Sequence, residues 1–263
     1  MTPATLFNAL WYDYVNRLCP SALKVHDLLE ENTPLINDHI ALRTFNLSPV
    51  SLDTLAKSFL DIGYYVGGDY QFEKKKLRAQ HFEHPDEMLP KVFISELLVD
   101  QCSFSAQRII HSFMAQIDEA KLSDPLFLAK GRMWNVSIEQ YQKLAKETEY
   151  GAWVAAHGYG ANHFTVSVNQ LNRFDEVSEV NNFLKREGFK MNDAGGEVKG
   201  TPGELLEQSS TMADKVGVSF IEGELYVPGG FYEFAKRYKT EGGQLYSGFI
   251  AASADKIFES TYR

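Results

Sequence analysis

The spacing of apolar residues over the first thirty positions predicts helices. The apolar residues of the first helix recur every four positions: Leu6, Leu10, Tyr14 and Leu18. This repeat places them on one helical face. Pro20 ends the run, and a second short helix is expected to follow it. These helices are expected to brace another part of the molecule.

A strict alternation of side chains replaces the helical spacing in residues 38–45. Ile40 and Leu42 point to one face of the predicted strand, whereas His39 and Arg43 point to the other. A helix with its own apolar face follows over residues 51–62. Strand-like stretches then occupy residues 64–66, 70–72, 77–82 and 92–99.

From residue 103 to 160 the pattern is helical again, which indicates an insertion between two β-rich parts. A second alternating strand, residues 162–168, comes next, with His163 on the face opposite Phe164. A helix follows. Further strands are predicted at residues 216–221, 224–227, 231–235 and 245–251.

The two β-rich parts form an internal repeat that starts at the two histidines. A Phe-Leu pair stands 20 residues after His39 and 20 residues after His163, and a Gly-Gly pair follows each. Farther along, the spacing of Pro90 and Phe93 resembles that of Pro228 and Phe231. Such a repeat sets the architecture. It predicts an α+β fold in which two β-α-β-β-β modules form one cupped mixed sheet.

The predicted organisation is one catalytic domain over residues 1–263 with helices added to the two modules. The N-terminal helices span residues 1–36, the first module 37–102, the helical insertion 103–160, and the second module with a C-terminal strand 161–263. In this arrangement the leading histidines of both modules point into one central cavity.

Charge and composition exclude several classes of partner. The chain carries a formal net charge of −9, which repels phosphate backbones and anionic lipid surfaces, so nucleic acid and membranes are not expected partners. Cys19 and Cys102 form no CxxC pair, which argues against a disulfide framework. No signal peptide or membrane span is recognised, so a cytoplasmic location is expected. The oligomeric state has no signal in the sequence.

Histidines at equivalent positions of a repeat favour a shared metal site over two structural histidines. Two histidines and one carboxylate leave coordination positions open, which is typical of non-haem Fe(II) oxygenases. Glu222 and Glu224 border a predicted turn, where carboxylates are usually solvated. Glu233 lies between two aromatic residues in an apolar strand, where it needs a metal or a cation such as Arg237.

Other polar residues compete for these roles. His157 precedes the second strand and is the chief rival of His163. His81 and His84 lie three apart on a strand, so their rings point to opposite faces and both are expected at the surface. Glu96 falls on the opposite face from the cavity by its register.

Three segments carry a resemblance to a known family: NDHIALRTF at residues 37–45, NHFT at 162–165 and PGGFYEFAKRY at 228–238. Together with the repeat, they resemble the 2-oxoadipate dioxygenase/decarboxylase family, also called 2-hydroxyglutarate synthases, within the vicinal oxygen chelate superfamily. The resemblance spans roughly residues 37–248. The chain is compact for this family, so loops that shape substrate choice in longer members are expected to be missing.

The resemblance implies a reaction and a ligand set. Fe(II), with Zn or Ni as other candidates, would be held by His39, His163 and Glu233. A 2-oxo dicarboxylic acid such as 2-oxoadipate would react with O2 to give 2-hydroxyglutarate and CO2. Arg43, about 13 Å along the strand from His39, would orient the far carboxylate, and Ser247 would line the pocket. An arginine paired with a buried glutamate is the other interpretation of Arg43.

Two other functions stay open at this point. The same scaffold supports metal-dependent lyases, isomerases and hydrolases, because a fold does not fix a reaction. It also supports small-molecule binding without catalysis. Oxygen dependence separates the first alternative from the oxygenase.

Overall fold

A computed structural model of the chain describes residues 1–261. Several helices begin at side-chain caps that satisfy free backbone N–H groups: Thr2, Ser103, Ser137 and Thr148. The α-helices are α1 (Pro3–Asp13), α2 (Ser21–Leu29), α3 (Leu52–Leu60), α4 (Phe104–Met114), α5 (Ile138–Ala145), α6 (Glu149–His157), α7 (Val177–Arg186) and α8 (Ala251–Ile257). Within the described residues, no helix is both long and apolar enough to cross a bilayer.

An eight-stranded mixed sheet forms the centre of the fold. The strands are β1 (Asn37–Phe45), β2 (Tyr65–Phe72), β3 (Leu77–Glu83), β4 (Lys91–Leu97), β5 (Ala161–Ser167), β6 (Lys199–Thr201), β7 (Leu206–Ser210), β8 (Lys215–Phe220), β9 (Gly223–Pro228) and β10 (Phe231–Arg237). The sheet runs in the order β2-β3-β4-β1-β5-β10-β7-β6, while β8 and β9 form a separate hairpin. This order contains the same four-stranded unit twice, which confirms the paired β-α-β-β-β modules.

The two modules meet where β1 pairs with β5. This pairing is antiparallel, and it sets Ala41 opposite His163 and His39 opposite Thr165. Within each module the first strand pairs in parallel with the last, β1 with β4 and β5 with β10. The register brings the two histidines to neighbouring positions on one face of the sheet, as the repeat predicts.

Helices cover both faces of this sheet. On the convex face, Trp11 of α1 packs edge-on against Phe164 of β5, with 5.0 Å between ring centroids. Over the concave face lies α6, in which residues 150–157 are all buried. A helix buried on all sides is a core element. The helical insertion thus covers one end of the cup, and α8 covers part of the other.

The strands predicted at residues 216–221 and 224–227 are confirmed, but their expected place in the second module is wrong. They form β8 and β9, which pair with each other outside the cup. The inner positions belong to β6 and β7, which are short and carry buried polar residues such as Lys199 and Gln208. Their weak apolar alternation gives no strand signal.

The predicted C-terminal strand at residues 245–251 is also wrong. Leu245 makes an isolated bridge to Lys239, and α8 begins at Ala251. Phe249 is buried because its ring points into the concave cavity, not because its backbone joins the sheet. The apolar character of this segment therefore reflects cavity lining.

Candidate metal centre

Three neighbouring strands bring the predicted ligands together. His39 lies on β1, His163 on β5 and Glu233 on β10, and all three are buried. One ligand atom from each residue lies within 4.8 Å of the others, a spacing that fits a single metal ion. Both imidazoles face the same carboxylate: Nε2 of His39 is 3.5 Å from Oε1 of Glu233, and Nε2 of His163 is 3.1 Å from Oε2.

A hydrogen bond from the residue before each histidine orients its ring. Nδ1 of His39 lies 2.7 Å from Oδ1 of Asp38, and Nδ1 of His163 lies 3.2 Å from Oδ1 of Asn162. With the proton on Nδ1, the lone pair of each ring sits on Nε2, the nitrogen nearer Glu233; Oγ1 of Thr165 also lies 3.1 Å from Nε2 of His39. Metal-binding histidines are commonly fixed in this way.

Burial dominates the electrostatics of the site. It lowers the pKa of both imidazoles, which favours the neutral form that can bind a metal. Burial also raises the pKa of Glu233 to about 8, although a hydrogen bond from Gln208 opposes the shift. Oε2 of Glu233 is buried and accepts no hydrogen bond within the described residues. Neutral imidazoles and a carboxylate oxygen without a donor fit a divalent cation.

His39, His163 and Glu233 line a small cavity. Its other walls come from Ala41, Phe93, Gln208, Phe249 and the α8 region. The volume is about 20 Å³, which is room for about one water molecule. Phe249 and α8 occupy the space that a larger molecule would need beside the three residues.

Arg43 lies on the same face of β1 as His39 and is 2% exposed. Its guanidinium faces the rings of Tyr150, Trp153 and Phe258 at 5.1–5.4 Å, and Nη1 donates to Oγ1 of Thr261. Phe258 also lines the metal cavity, so Arg43 and the metal site lie on two sides of one aromatic ring. Contact between Arg43 and substrate stays a prediction.

The expectation that Ser247 lines the cavity is wrong for the described structure. Ser247 is exposed, and its hydroxyl bonds to the carboxylate of Glu83. The reason is that Arg237 holds the carbonyls of Tyr246 and Gly248, at 2.9 and 2.7 Å. These hydrogen bonds fix the backbone so that the side chain of the next residue, Phe249, points into the cavity instead.

The rival histidines have other partners. His157 is buried and its Nε2 lies 2.7 Å from the carbonyl of Pro228, outside the metal cluster. His84 is half-buried, and its Nδ1 accepts from the backbone of Asp86. The surface location expected for His81 is wrong: it is 2% exposed and bridges Tyr70 and Glu83.

The rival carboxylates are also accounted for. Glu96 faces away from the cavity and accepts from the backbone N–H of Leu52 at the start of α3, as its register predicts. Glu222 accepts from the N–H of Ile138. Arg237, the expected alternative partner of Glu233, forms its ion pair with Asp38 instead.

The structure also corrects the repeat alignment near β4. His39 pairs with Lys91, and His163 pairs with Phe231. Counting two residues onward, Phe93 is the counterpart of Glu233, not of Phe231. The first module therefore places an aromatic ring where the second places its metal ligand.

Two polar residues at the site, Asp38 and Gln208, escaped sequence reasoning, whereas Arg237 was expected but with Glu233 as its partner rather than Asp38. A register shift between Asn37 and His39 breaks the strand alternation, so the Asp38 carboxylate lies beside the His39 ring rather than on the opposite face. The sequence did carry one signal for these partners. A residue with a side-chain oxygen precedes each histidine, Asp38 before His39 and Asn162 before His163. Gln208 belongs to a strand that the apolar pattern missed.

Known proteins resemble this chain along most of its length. A family model described as 2-oxoadipate dioxygenase/decarboxylase matches residues 13–131 and 126–246. An Arabidopsis thaliana protein named 2-oxoadipate dioxygenase/decarboxylase, chloroplastic, is 35% identical, with 95% of this chain and 75% of the relative covered. The matched regions include His39, His163 and Glu233.

Solved structures agree with this similarity. Hydroxyglutarate synthase from Oryza sativa, in complex with 2-oxoadipate, superposes with a TM-score of 0.90 at 32% identity, covering 98% of this chain and 91% of that one. A protein from Shewanella frigidimarina NCIMB 400, provisionally described as a hydrolase, superposes with a TM-score of 0.91 at 56% identity, covering 95% and 98%. These two structures therefore share the fold of this chain over at least 95% of its length.

Proposed function

Because this chain belongs to the 2-oxoadipate dioxygenase/decarboxylase family, we propose that it converts 2-oxoadipate and O2 to 2-hydroxyglutarate and CO2 with Fe(II). The observation that carries the proposal is the buried cluster of His39, His163 and Glu233 at the seam of the two modules. The related Oryza sativa structure holds 2-oxoadipate, which supports this substrate.

His39, His163 and Glu233 would hold the iron. When bound, Fe(II) supplies chelation of the 2-oxo acid and reduction of O2, the chemistry that side chains cannot perform. Three protein ligands leave room at the metal for both reactants. The residues around the metal fix ligand orientation: Asp38 and Asn162 accept from the rings, and Gln208 donates to Glu233.

Arg43 would bind the carboxylate at the far end of the substrate. Its planar guanidinium suits two parallel hydrogen bonds to a carboxylate. The rings of Tyr150, Trp153 and Phe258 hold the guanidinium on the metal side of α6 and keep water away from it. The positive charge of Arg43 would attract a dianionic substrate locally, although the net charge of the chain is negative.

Closure of the cavity would protect the reaction. A cavity of about 20 Å³ is too small for a six-carbon dicarboxylic acid, so Phe249 and α8 must move to admit it. Their return would exclude bulk water from the metal. The atoms balance: the C1 carboxylate of the substrate would leave as CO2, one atom of O2 would complete the new carboxylate at the former 2-oxo carbon, and the other would become the 2-hydroxyl group.

The test is oxygen consumption by the Fe(II)-loaded protein across a panel of 2-oxo acids, with CO2 and 2-hydroxy acid measured. We expect 2-oxoadipate to give one CO2 and one 2-hydroxyglutarate per O2. His39→Ala should lose this activity together with bound metal, whereas the matched control His84→Ala should keep both.

Two outcomes would contradict the proposal. Turnover of the same substrate without oxygen would indicate a lyase, isomerase or hydrolase that uses the metal as a Lewis acid. Binding of metal and 2-oxoadipate with no oxygen uptake would indicate a binding protein.

A further inference from the structure

A single buried arginine joins the metal site to the segment that closes the cavity. Arg237 follows Glu233 by four residues on β10 and is 4% exposed. Nε and Nη2 donate to the two oxygens of Asp38 at 2.7 and 2.9 Å. Nη1 donates to the carbonyls of Tyr246 and Gly248 at 2.9 and 2.7 Å. One guanidinium thus holds two segments that are distant in the sequence.

The first of these segments orients a metal ligand. Oδ1 of Asp38, which accepts from Arg237, also lies 2.7 Å from Nδ1 of His39. The two donors of Arg237 thus hold the Asp38 carboxyl group against the ring of His39. An acceptor fixed at Nδ1 keeps the ring proton there and leaves the Nε2 lone pair for a metal.

The second segment, residues 246–249, carries the aromatic plug of the cavity. Phe249 follows the held carbonyl of Gly248, and its ring centroid is 4.8 Å from the ring of His39. The guanidinium of Arg237 faces the ring of Phe249, 5.0 Å from its centroid. On the other side, the N–H of Phe249 donates to the hydroxyl of Tyr70 at 3.0 Å. Arg237 therefore determines where the plug sits.

The other metal histidine lacks this connection. The acceptor for His163 is the neutral amide of Asn162, whereas the acceptor for His39 is a carboxylate tied to Arg237. The difference is informative because the two histidines occupy equivalent repeat positions. A buried ion pair that served only stability would have no need to contact the plug segment as well.

We propose that Arg237 is a positioning residue that couples the orientation of His39 to the closure of the cavity by residues 246–249. The inference rests on the proposed metal-dependent function. Because coupling between two sites is reciprocal, metal bound by a correctly oriented His39 favours the closed segment, and the closed segment favours metal binding.

The test compares Arg237→Lys with the intact protein, using Co(II) as the metal probe. Lysine keeps the charge but cannot form the fork to Asp38 and the two carbonyl bonds together. Co(II) affinity and visible spectrum report the ligand geometry, and hydrogen–deuterium exchange of residues 245–250 reports closure. The control is Arg78→Lys, which alters an arginine–carboxylate pair with Glu96 on the convex face.

In the intact protein and in the control, we expect Co(II) to slow exchange of residues 245–250 by at least about tenfold. In Arg237→Lys we expect Co(II) affinity to fall about 10- to 100-fold, the Co(II) spectrum to shift, and exchange no longer to respond to the metal. Asp38→Asn should give the same loss of response, because it cuts the link at the other end.

Several results would overturn the coupling. If Arg237→Lys lowered Co(II) affinity while exchange still responded to metal, Arg237 would be only a structural residue. If Arg237→Lys failed to fold, an unchanged response in Asp38→Asn would reject the inference. Failure of the proposed function is distinguishable: the intact protein would then bind Co(II) and close, yet consume no oxygen with Fe(II).

Discussion

Oε2 of Glu233 lies 3.1 Å from Nε2 of His163, and both atoms are hydrogen-bond acceptors when the carboxyl is ionised. Nδ1 of His163 already faces Asn162, so Nε2 carries the lone pair. Two acceptors in contact need a proton or a cation between them. A proton on Glu233, whose pKa burial raises to about 8, or the proposed metal ion would meet this need.

Glu233→Gln should remove metal binding and yet stabilise the metal-free protein. Burial raises the pKa of Glu233 to about 8, above that of an unfolded glutamate, so folding takes up a proton at neutral pH. The resulting loss of stability grows as pH rises from about 4.5 to 8. Glutamine removes it, and the free energy of unfolding at pH 7 in urea should increase by about 1–3 kcal/mol.

The matched control for that variant is Glu96→Gln. Glu96 is also buried, but it accepts from the N–H of Leu52 and pairs with Arg78, so its loss should destabilise the protein by about 1–3 kcal/mol. If Glu233→Gln were destabilised in the same way, Glu233 would be a structural carboxylate and not a metal ligand.

Arg43→Lys should weaken binding of dicarboxylic 2-oxo acids without loss of metal. Lysine cannot reproduce a two-pronged contact with a carboxylate. We expect KM for 2-oxoadipate to rise at least about tenfold, with metal content unchanged. Turnover of 2-oxohexanoate, which lacks the far carboxylate, should change little. An equal loss with both substrates would show that Arg43 acts through folding alone.

Phe249→Ala should open the cavity to solvent. The ring of Phe249 packs against those of His39 and Phe93, at 4.8 and 5.1 Å between centroids, and fills the space between the metal and α8. Its removal should speed the extraction of Co(II) by a chelator at least about tenfold, since escape no longer waits for the plug to move. Phe104→Ala, at a residue 75% exposed, is the control. An unchanged extraction rate would show that the metal leaves by another route.

His157 should make the fold sensitive to acid. Burial, helped by the charge of Arg17, lowers its pKa to about 3. An unfolded histidine binds a proton near pH 6.5, so the unfolded state takes up more protons between pH 6.5 and 3. The contribution of neutral His157 to the free energy of unfolding is therefore fully present above pH 6.5. Below that pH it falls by about 1.4 kcal/mol per pH unit.

Replacement by glutamine isolates this contribution. The amide of His157→Gln can still donate to the carbonyl of Pro228, but it does not titrate. Urea unfolding at pH 7.5 and 5.5 should show a steeper loss of stability for the intact protein than for the variant. Identical pH dependence would mean that His157 is protonated in the folded state.

The sequence predicted the clustering of His39, His163 and Glu233 better than it predicted their surroundings. Alternation along β1 and β5 predicted which face of each strand carries His39 and His163. The repeat predicted that these two faces border the same cavity. Glu233 followed from the cost of burying a carboxylate between aromatic residues. These inferences depend on local rules that hold for each strand alone.

The parts that escaped prediction depend on departures from those rules. Asp38 reaches His39 because a register shift breaks strict alternation. Residues 245–251 were interpreted as a strand because Phe249 and Ile250 are apolar, yet Phe249 is buried by a cavity and not by a sheet. For β7, burial of Gln208 and Ser209 is driven by polar contacts, which apolar patterning does not detect.

The antiparallel seam between β1 and β5 has a consequence for assembly. One of the three proposed metal ligands comes from the first module and two from the second, so a bound ion would join the halves across their boundary. A slip of one residue in this pairing would turn His163 to the opposite face and dismantle the site. Because metal binding adds free energy to folding, a bound ion would favour the observed strand register over one shifted by a residue.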